Sequence, residues 1–409
     1  MPTSTPLRRV SSISVLAISP PSLIDVNRAI YRELAFQGRS IEIVVPSETG
    51  YAHGPRTPDA LQADDPPIHR LRPTSESQRL RTFRSLIALL ESRQPRIIYI
   101  DGDPASFLTL QVGIWARYRG AAVVCQSCDN LSRTFKSSFK RSGFRGLLAS
   151  LVIQFFAAAA KPNLAHIFSI NQDGLQVFSE LGFRGNVSCI PLGFDPALFY
   201  RNPELRERAR RELGLQHITI AFFGMLRWAK GVHLLIEALE GLLAHDWQLL
   251  VDRFEIYRDP YTEQINKMLE RSPVGKRVVF FDATHRQMPQ YINAADIVVL
   301  PSISTPTIKE QYGRAISEAM ACGRMVIVSQ SGALPELVGG AGLQIPENDV
   351  PALRQALRRA LDDPNLREQL GNKALQRAHS SLSVKQQAVI MGEKFDQILR
   401  QLGGADLPG

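Results

Sequence analysis

Two glutamates, Glu310 and Glu318, have the residue type and spacing best suited to chemistry. Seven residues separate them in the segment KEQYGRAISEAMACG. The preceding run DIVVL predicts a strand that ends at Pro301, and the pattern after it predicts a helix from near Gly313 to Gly323, a glycine that can end a helix. Glu310 then lies in a loop and Glu318 inside the helix.

The start of this predicted helix is suited to an anion. The backbone N–H groups of Tyr312, Gly313 and Arg314 would point out of its first turn, towards a pyrophosphate or a sugar oxygen. An amphipathic helix with two solvated acids would show the same spacing, so the spacing alone does not decide. The next strand, RMVIVS, is followed by another helix start, SGALPELVG, and this context favours a binding site.

A second segment supplies positive charge. In FFGMLRWAKGVHLLIEAL, Arg227 and Lys230 lie where the strand HITIAFF turns into a helix, between Gly224 and Gly231. Lysine acts on phosphate as a point charge and arginine as a fork of donors. Solvated surface cations would fit this short pattern equally well.

Two further pairs could bind metal. Asp101 and Asp103 follow the strand RIIYI, where two carboxylates could share a hard cation, or simply form a turn before a helix that starts at Pro104. Cys125 and Cys128 have the spacing of a redox or zinc pair, but no second pair is near in sequence. We therefore predict no metal site and leave both pairs as alternatives.

The elements that position these residues alternate along the whole chain of 409 residues. Continuous, β-branched apolar runs predict strands buried on both faces of a parallel sheet, and helical patterns separate them. The stretch PLGFDPALFYRN interrupts this rhythm at 191–202. We predict an α/β protein of two Rossmann-like, doubly wound domains that face each other across a cleft. The predicted units are 1–198, 199–382 and a C-terminal helix with a tail, 383–409, that packs back towards the first domain.

Composition excludes several classes of protein. Apolar residues make up 44% and charged residues 21% of the chain, as in a soluble globular protein. The net charge is +9, and residues 1–200 carry +7 of it, with 22 basic and 15 acidic residues, which favours an anionic partner. Acidic residues interleave with the basic ones and no aromatic platform is evident, so we expect no nucleic acid. Four cysteines and the lack of a run of 18 apolar residues predict a cytoplasmic protein.

The apolar segment LLASLVIQFFAAAA, residues 147–160, has two interpretations. It can be a helix buried against the first sheet, the interpretation we favour from sequence. It can also lie on an anionic membrane surface, because basic residues precede it, and the protein would then be peripheral on the cytoplasmic face. Those basic residues are Arg133, Lys136, Lys140, Arg141 and Arg145.

Taken together, these segments resemble the retaining glycosyltransferases of family 4, which have the GT-B fold. KEQYGRAISEAMACG resembles their Glu-x7-Glu signature, with Tyr312 in place of Phe. FFGMLRWAKG resembles their basic donor-phosphate motif, with Lys230 at its lysine position. IPLGFDPALF, RQMPQYINAADIVVLPS and IDGDPAS with CQSCDN agree in order with further family segments. The resemblance implies that Glu310 contacts the donor sugar and Glu318 the ribose of the nucleotide.

The sequence departs from the family pattern at several points. Met225 stands where Arg is usual, and VDRFEIY, residues 251–257, replaces a glycine-rich turn. Met325 replaces a proline. No histidine stands near CQSCDN, where Asp129 and Asn130 are the nearest polar residues. We expect the leaving phosphate to accept the proton of the acceptor hydroxyl while Asn130 orients that acceptor.

The resemblance implies a retaining hexosyltransferase that moves a hexose from a UDP- or GDP-linked donor to a saccharide, lipid-linked or small-molecule hydroxyl, in cell-surface polysaccharide or glycolipid synthesis. No cofactor or metal is expected. A non-catalytic GT-B subunit that binds a glycan or a protein partner is the alternative. The predicted catalytic residues are Glu310, Lys230 and Arg227. The predicted substrate-binding residues are Glu318, Tyr312, Gly313, Arg314, Gly224, Asp129 and Asn130.

Overall fold

The computed structural model describes residues 13–47, 50–51, 54–55, 59–77, 79–253 and 260–404. Two parallel sheets, of seven and six strands, form two α/β domains with helices on both faces of each sheet. The predicted α/β class with two doubly wound, Rossmann-like domains is therefore confirmed. The predicted glycine-rich-turn replacement at 251–257 lies partly outside the described residues.

The N-terminal sheet has the order β5-β2-β1-β6-β7-β8-β9. Its strands, with a separate two-stranded hairpin of β3 and β4, are β1 (Val15–Ile18), β2 (Ile41–Pro46), β3 (Gly50–Tyr51), β4 (Gly54–Pro55), β5 (Ile68–Leu71), β6 (Ile97–Asp101), β7 (Ala122–Ser127), β8 (Leu164–Ser169) and β9 (Val187–Cys189). All six residues of β7 are buried, which explains why the central strands are apolar without alternation.

The C-terminal sheet has the order β12-β11-β10-β13-β14-β15, which is the strand order of a Rossmann fold. Its strands are β10 (Ile218–Phe222), β11 (Trp247–Asp252), β12 (Val278–Phe281), β13 (Ile297–Leu300), β14 (Met325–Ser329) and β15 (Leu343–Ile345). The order reverses between β10 and β13, so the loops after these two strands diverge and leave a crevice at their carboxyl ends.

Fourteen α-helices connect the strands of the described chain. They are α1 (Ala29–Phe36), α2 (Leu86–Arg93), α3 (Phe107–Arg119), α4 (Phe135–Ala160), α5 (Gln172–Glu180), α6 (Pro203–Glu212), α7 (Val232–Glu240), α8 (Pro260–Arg271), α9 (Met288–Ala294), α10 (Arg314–Ala321), α11 (Leu334–Val338), α12 (Val350–Asp362), α13 (Pro364–Ser381) and α14 (Val384–Gly404). Gly323 follows α10 with φ 67°, so the helix predicted to run from near Gly313 to this glycine is confirmed.

The last helix returns to the first domain. Met391 and Phe395 of α14 are fully buried in the N-terminal core, where the Phe395 ring lies edge-on to Tyr99 and Phe168. Arg39 pairs with Asp396 across the same contact, at 2.8 Å between nitrogen and oxygen. The chain therefore crosses twice between the domains, once in the segment after β9 and once before α14.

Helix α4 is the most exposed apolar element. Its backbone leaves the helical conformation at Ser142 and at Gly143, where φ is 57°, so the helix is kinked. Helix α4 and its C-terminal flank, residues 135–163, are together long and apolar enough to cross a membrane by length and composition alone, and 33% of the most apolar window is buried. Basic residues interrupt this stretch, so it contains no contiguous run of 18 apolar residues.

Candidate active site

A cleft of about 1030 Å³ lies between the carboxyl ends of the two sheets. Its N-terminal wall includes Asp101, the last residue of β6, and its C-terminal wall includes Met225, which follows β10. The predicted site residues that line it are Glu310, Tyr312, Gly313, Arg314, Glu318 and Asp129. The structure thus brings the Glu-x7-Glu element to the crevice where doubly wound sheets bind ligands.

Lys230 and Glu310 form the central ion pair of this site. The Lys230 Nζ lies 2.7 Å from Glu310 Oε2, and the Ser302 hydroxyl donates to the same oxygen at 2.8 Å. The Glu310 side chain is 8% exposed, whereas 26% of the Lys230 side chain remains exposed. A mostly buried carboxylate thus holds a lysine whose ammonium group still borders solvent.

Two loops converge to make this pair. The turn Trp228–Lys230 follows β10, and the segment after β13 is tied to it by a hydrogen bond of 2.8 Å from Ile303 N to Ala229 O. The carbonyl of Glu310 accepts from Ala333 N at 3.1 Å. Gly332 has φ 52°, and a Cβ at this position would collide with that carbonyl, so the sequence SGALPE needs glycine here.

Helix α10 directs its first turn into the cleft. Gly313 precedes it with φ 91°, and a Cβ there would collide with the Leu334 side chain. The exposed guanidinium of Arg314, the first residue of α10, has no hydrogen bond or ion pair to any described residue. Because a helix N-terminus carries partial positive charge, the arginine and the helix end together form a cationic corner of the cleft.

Glu318 lies about one helical turn after Arg314 in α10, and it is 3% exposed. Its Oε1 is 2.8 Å from Nε2 of His285. Sequence reasoning missed His285, although its place after β12, at the carboxyl end of a strand, is a signal that could have found it. A ligand hydroxyl at Glu318 would meet a carboxylate that His285 already orients.

The other predicted residues have different surroundings. Asn130 is 7% exposed, and its side-chain amide donates to the carbonyls of Glu310, at 2.9 Å, and Lys309, at 3.3 Å. Asn130 therefore holds the Glu310 loop in place. The Tyr312 hydroxyl donates to Leu192 O at 2.5 Å, so this side chain fastens α10 to the segment between the domains. Asp129 is paired with Arg133 at 2.7 Å.

Arg227, Gly224 and Met225 lie in the loop after β10. Gly224 has φ 151° and no heavy atom within 4 Å of a Cβ built on it. Arg227 precedes the turn that carries Lys230, and neither cation is among the residues that line the cleft, whereas Met225 is. Lys230 is joined to the cleft through its contact with Glu310.

The N-terminal wall contains a carboxyl group with a shifted pKa. Burial raises the pKa of Asp101 to about 6, although the Ser19 hydroxyl, at 2.9 Å, and the charge of Arg314 act in the opposite direction. Burial also raises the pKa of Asp103, and the neighbouring Asp129 raises it further. Asp103 pairs with Arg79 at 2.9 Å.

Within the described residues no group of three or more His, Cys, Asp and Glu side chains is arranged to hold a metal ion. The two acids of the D-x-D segment have separate partners, Ser19 and Arg79. Cys125 is a buried free thiol and Cys128 an exposed one. The prediction that the chain uses no metal stays a prediction.

Polar contacts join the domains around the cleft. Arg286 donates to Asp25, and Lys309 lies 2.6 Å from Asp173. Burial alone would raise the pKa of Asp25, but hydrogen bonds and charges from Arg32 and Arg286 outweigh it, so this pKa is lowered. The two walls are thus held at a fixed separation by ion pairs as well as by Asn130.

Two Rossmann-like domains with parallel sheets, facing each other across a cleft and joined by a returning C-terminal helix, define the GT-B fold. The crystal structure of HepE from Anabaena in complex with UDP shares it, with a TM-score of 0.71 at 18% identity over 94% of this chain and 100% of that one. This likeness shows the fold alone.

Part of the C-terminal domain is similar in sequence to a known family. Residues 205–377 match the model of the family described as glycosyl transferases group 1, and these residues make up most of the C-terminal domain. The predicted relationship to GT-B glycosyltransferases is confirmed by these matches, while the narrower assignment to family 4 stays a prediction.

Two curated relatives come from Corynebacterium glutamicum. A D-inositol 3-phosphate glycosyltransferase is 31% identical over 204 residues, or 47% of this chain and 48% of that protein. A GDP-mannose-dependent monoacylated alpha-(1-6)-phosphatidylinositol monomannoside mannosyltransferase is 32% identical over 241 residues, or 56% and 61%. The chain matches about half the length of the first of these relatives.

Proposed function

We propose that the protein is a retaining glycosyltransferase that moves a hexose from a nucleotide-diphosphate sugar to an acceptor hydroxyl. One observation carries this proposal: Glu310 and Glu318 line the same cleft, and Lys230 is in direct contact with Glu310. A positive charge that can stabilise a diphosphate leaving group therefore lies next to a carboxylate that can bind sugar hydroxyls.

The site supports the cleavage step electrostatically. Breaking the bond between sugar and diphosphate leaves negative charge on the diphosphate and oxocarbenium character on the sugar. Lys230 and Arg314, with the amides at the start of α10, lie where the diphosphate charge would be stabilised. The carboxylate of Glu310 lies beside Lys230, where it can accept a hydrogen bond from a hydroxyl of the donor sugar.

Retention of the anomeric configuration depends, in this proposal, on which group accepts the proton of the acceptor hydroxyl. We propose that the leaving phosphate accepts this proton on the same face of the sugar, so that the bond to the acceptor forms where the bond to phosphate breaks. Asp101 lines the opposite wall of the cleft, within the electrostatic reach of Arg314. No covalent step on the protein is needed.

The comparisons support the class of substrate. The relatives named above are glycosyltransferases whose names specify an inositol phosphate acceptor and a GDP-mannose donor with a phosphatidylinositol mannoside. HepE has been crystallised with UDP and with UDP-glucose. We propose a UDP- or GDP-linked hexose donor, no cofactor, and a role in polysaccharide or glycolipid synthesis.

Calorimetric titration with UDP and GDP, followed by sugar-release assays with the matching nucleotide sugars, tests this function. The wild-type protein should bind one nucleoside diphosphate, and Lys230→Ala should weaken that binding by at least about tenfold, or about 1.4 kcal/mol. Lys276→Ala, an exposed lysine of the same domain, is the matched control. The anomeric configuration of the product, read by NMR, tests retention.

The alternative function is a non-catalytic subunit of this fold. Met225, which lines the cleft where the family motif has a cation, favours it. Saturable nucleotide binding without sugar release from any donor, in the presence of saccharide and glycoside acceptors, would support the alternative. Lack of any nucleotide binding would overturn the catalytic proposal.

We further propose that the first domain docks on an anionic membrane at the cytoplasmic face through α4. Five exposed apolar side chains repeat at helical spacing along one side of its second half, and Phe144 is 68% exposed. They are Phe144, Leu148, Leu151, Val152 and Phe155. Lys136, Lys140 and Arg145 are exposed on the same helix. Apolar side chains flanked by cations are typical of helices that lie in a lipid interface.

The favoured sequence interpretation, a helix buried against the sheet, describes only the opposite side of α4. Ile153, Phe156 and Ala157 are buried there in the N-terminal core. Helix α4 is thus packed on the N-terminal core by one side and exposes apolar side chains on the other. A membrane bound there would place a lipid-linked acceptor next to the domain that forms one wall of the cleft.

Flotation with phosphatidylcholine vesicles, with and without phosphatidylglycerol, tests the membrane proposal. Binding should require the anionic lipid, fall as salt increases, and decrease with the double variant Phe144→Ser and Phe155→Ser. Phe36→Ser, which alters an exposed phenylalanine on α1, is the control. Binding that ignores both salt and these substitutions would contradict the proposal.

A further inference from the structure

A second cavity, with a volume of about 320 Å³, lies in the C-terminal domain away from the cleft. Asp296 directly precedes β13 and Met325 begins β14, so the cavity opens at the amino ends of these strands. The proposed donor site lies at their carboxyl ends. The cavity is therefore on the opposite edge of the same sheet, and its size is at the lower end of ligand-binding pockets.

Four arginines line this cavity: Arg201, Arg206, Arg324 and Arg367. The two acids among the lining residues are Asp296 and the exposed Glu368. The Asp296 carboxylate already has three donors, because it accepts from Arg206 at 2.5 Å, from Arg210 at 3.3 Å and from the Thr219 N–H at 2.8 Å. These donors come from α6 and β10, not from Arg201, Arg324 or Arg367.

Three of the four arginines bind only neutral acceptors within the described chain. Arg201 donates to the Asn372 side chain at 2.8 Å, and Arg324 donates to Cys322 O at 2.9 Å. Arg367 donates to Ala360 O at 2.6 Å. Each guanidinium has five N–H donors, so several donors remain on each for a ligand.

The arginines also repel one another. The pKa of Arg324 is lowered to about 10, chiefly by burial and then by the charge of Arg206 and that of Arg201, against an opposing effect of Asp296. An anion placed between the guanidinium groups would relieve this repulsion. Folding has thus gathered positive charge at a place where the described chain supplies too little negative charge to balance it.

Two helix N-termini face the same space. Pro203 and Pro364, the first residues of α6 and α13, both line the cavity. These helices have 10 and 18 residues. The neutral Asn202 caps α6, which contributes the partial positive charge of its first turn, whereas the Asp363 carboxylate caps α13 and offsets the charge at that end. The arginine forks and the N-terminus of α6 therefore act on the same volume.

We propose that this cavity is a binding site for a phosphate-bearing small molecule, distinct from the donor site. Arginine forks match the geometry of phosphate oxygens, and the dipole of α6 adds to the field. The proposal rests on the cavity and its charges and does not depend on the proposed glycosyl transfer.

Pyrophosphate is the probe for a calorimetric titration, and the Lys230→Ala protein is the starting point, because that variant weakens anion binding in the cleft. This protein should bind pyrophosphate with a dissociation constant that rises at least about tenfold when Arg201→Gln and Arg367→Gln are added. Arg208→Gln, at an exposed arginine on α6 that pairs with Glu212, is the matched control and should leave binding unchanged.

Arg367 also supports the end of α12, so Arg201→Gln alone is the second variant. Arg201 is exposed and should be replaceable without loss of folding, as judged by the melting temperature. In wild-type crystals soaked with tungstate, an anomalous peak between these arginines is expected. The proposal is overturned if the Lys230→Ala protein does not bind pyrophosphate, if both arginine variants bind it unchanged, or if tungstate occupies the cleft alone.

Discussion

The two walls of the cleft are built in different ways. The C-terminal wall takes its functional side chains from two loops and one helix, with Lys230, Glu310 and Glu318 all within a single Rossmann-like domain. The N-terminal wall takes Asp101, Asp103 and Asp129 from the ends of two neighbouring strands. Its acids are held by Ser19, Arg79 and Arg133, respectively.

If the proposed function holds, we expect this difference to separate recognition of the donor from recognition of the acceptor. A nucleotide diphosphate has the same charges in every donor, so one arrangement of lysine, helix end and carboxylates serves it. Acceptors differ in structure from one enzyme to another, and side chains at strand ends can be substituted singly to match a different acceptor. We therefore expect substitutions in the C-terminal wall to act on the donor and those in the N-terminal wall to act on the acceptor or on stability.

The largest effect is expected for Glu310→Gln. Loss of the negative charge leaves Lys230 without its ion pair and replaces a charged acceptor for a sugar hydroxyl by a neutral amide, so turnover should fall by about 100-fold, or about 2.7 kcal/mol. Steady-state kinetics with the nucleotide sugar that the wild-type protein hydrolyses gives this value. Glu263→Gln, an exposed acid on α8, is the control. Unchanged turnover with intact folding would refute the role of the C-terminal wall.

A smaller effect is expected for Glu318→Ala. This residue lies where the resemblance places the ribose, so its loss should raise the KM for the donor about tenfold and change kcat less. His285→Ala should act in the same direction but more weakly, because His285 reaches the ligand through Glu318. If His285→Ala raises KM while Glu318→Ala does not, the carboxylate is not the group that contacts the nucleotide.

Most of the fold could be predicted because its strands are buried on both faces. The continuous apolar runs RIIYI, HITIAFF, DIVVL and RMVIVS correspond to β6, β10, β13 and β14. The peripheral strand β5 shows no such run, since IHRL has no buried residue. Edge strands carry little of the apolar signal on which such a prediction depends.

The sequence predicts which residues belong to the site better than it predicts their side-chain partners, for a physical reason. Lys230 and Glu310 lie in motifs whose order is visible in the sequence, but their ion pair joins residues 80 positions apart. Asn130 was predicted to orient the acceptor, whereas its amide holds the loop of Glu310, a contact across 180 positions. His285 carries no motif at all. Side-chain partners at such separations depend on how the domains pack, which local patterns do not specify.

The contact between the walls can be tested with Asn130→Ala. This variant removes the donor that holds the carbonyls of Lys309 and Glu310 and leaves the C-terminal wall otherwise unchanged. Turnover should fall about threefold to fivefold, roughly the 1 kcal/mol of one hydrogen bond, while UDP or GDP affinity stays the same. If only the KM for the acceptor changes, Asn130 contacts the acceptor directly, as the sequence suggested.

The smallest effect is expected on stability, with Asp101→Asn. The pKa of Asp101 is raised from 3.8 to about 6 in the folded protein, so the unfolded chain ionises first as pH increases. Folding is unaffected by this group below pH 3.8, becomes less favourable between these two values, and carries a constant penalty above pH 6. The neutral asparagine removes that penalty, so the variant should melt a few degrees higher at pH 8 and no higher at pH 3.5.

Thermal unfolding at the two pH values, with Asp246→Asn as an exposed control, measures this difference. Slower transfer to the acceptor in a more stable Asp101→Asn protein would show that the N-terminal wall keeps a destabilising carboxylate for function. A variant that is less stable at both pH values would show instead that the hydrogen bond from Ser19 outweighs burial of the charge. The N-terminal wall would then be a structural support for the donor site, and the division between donor and acceptor walls would fail.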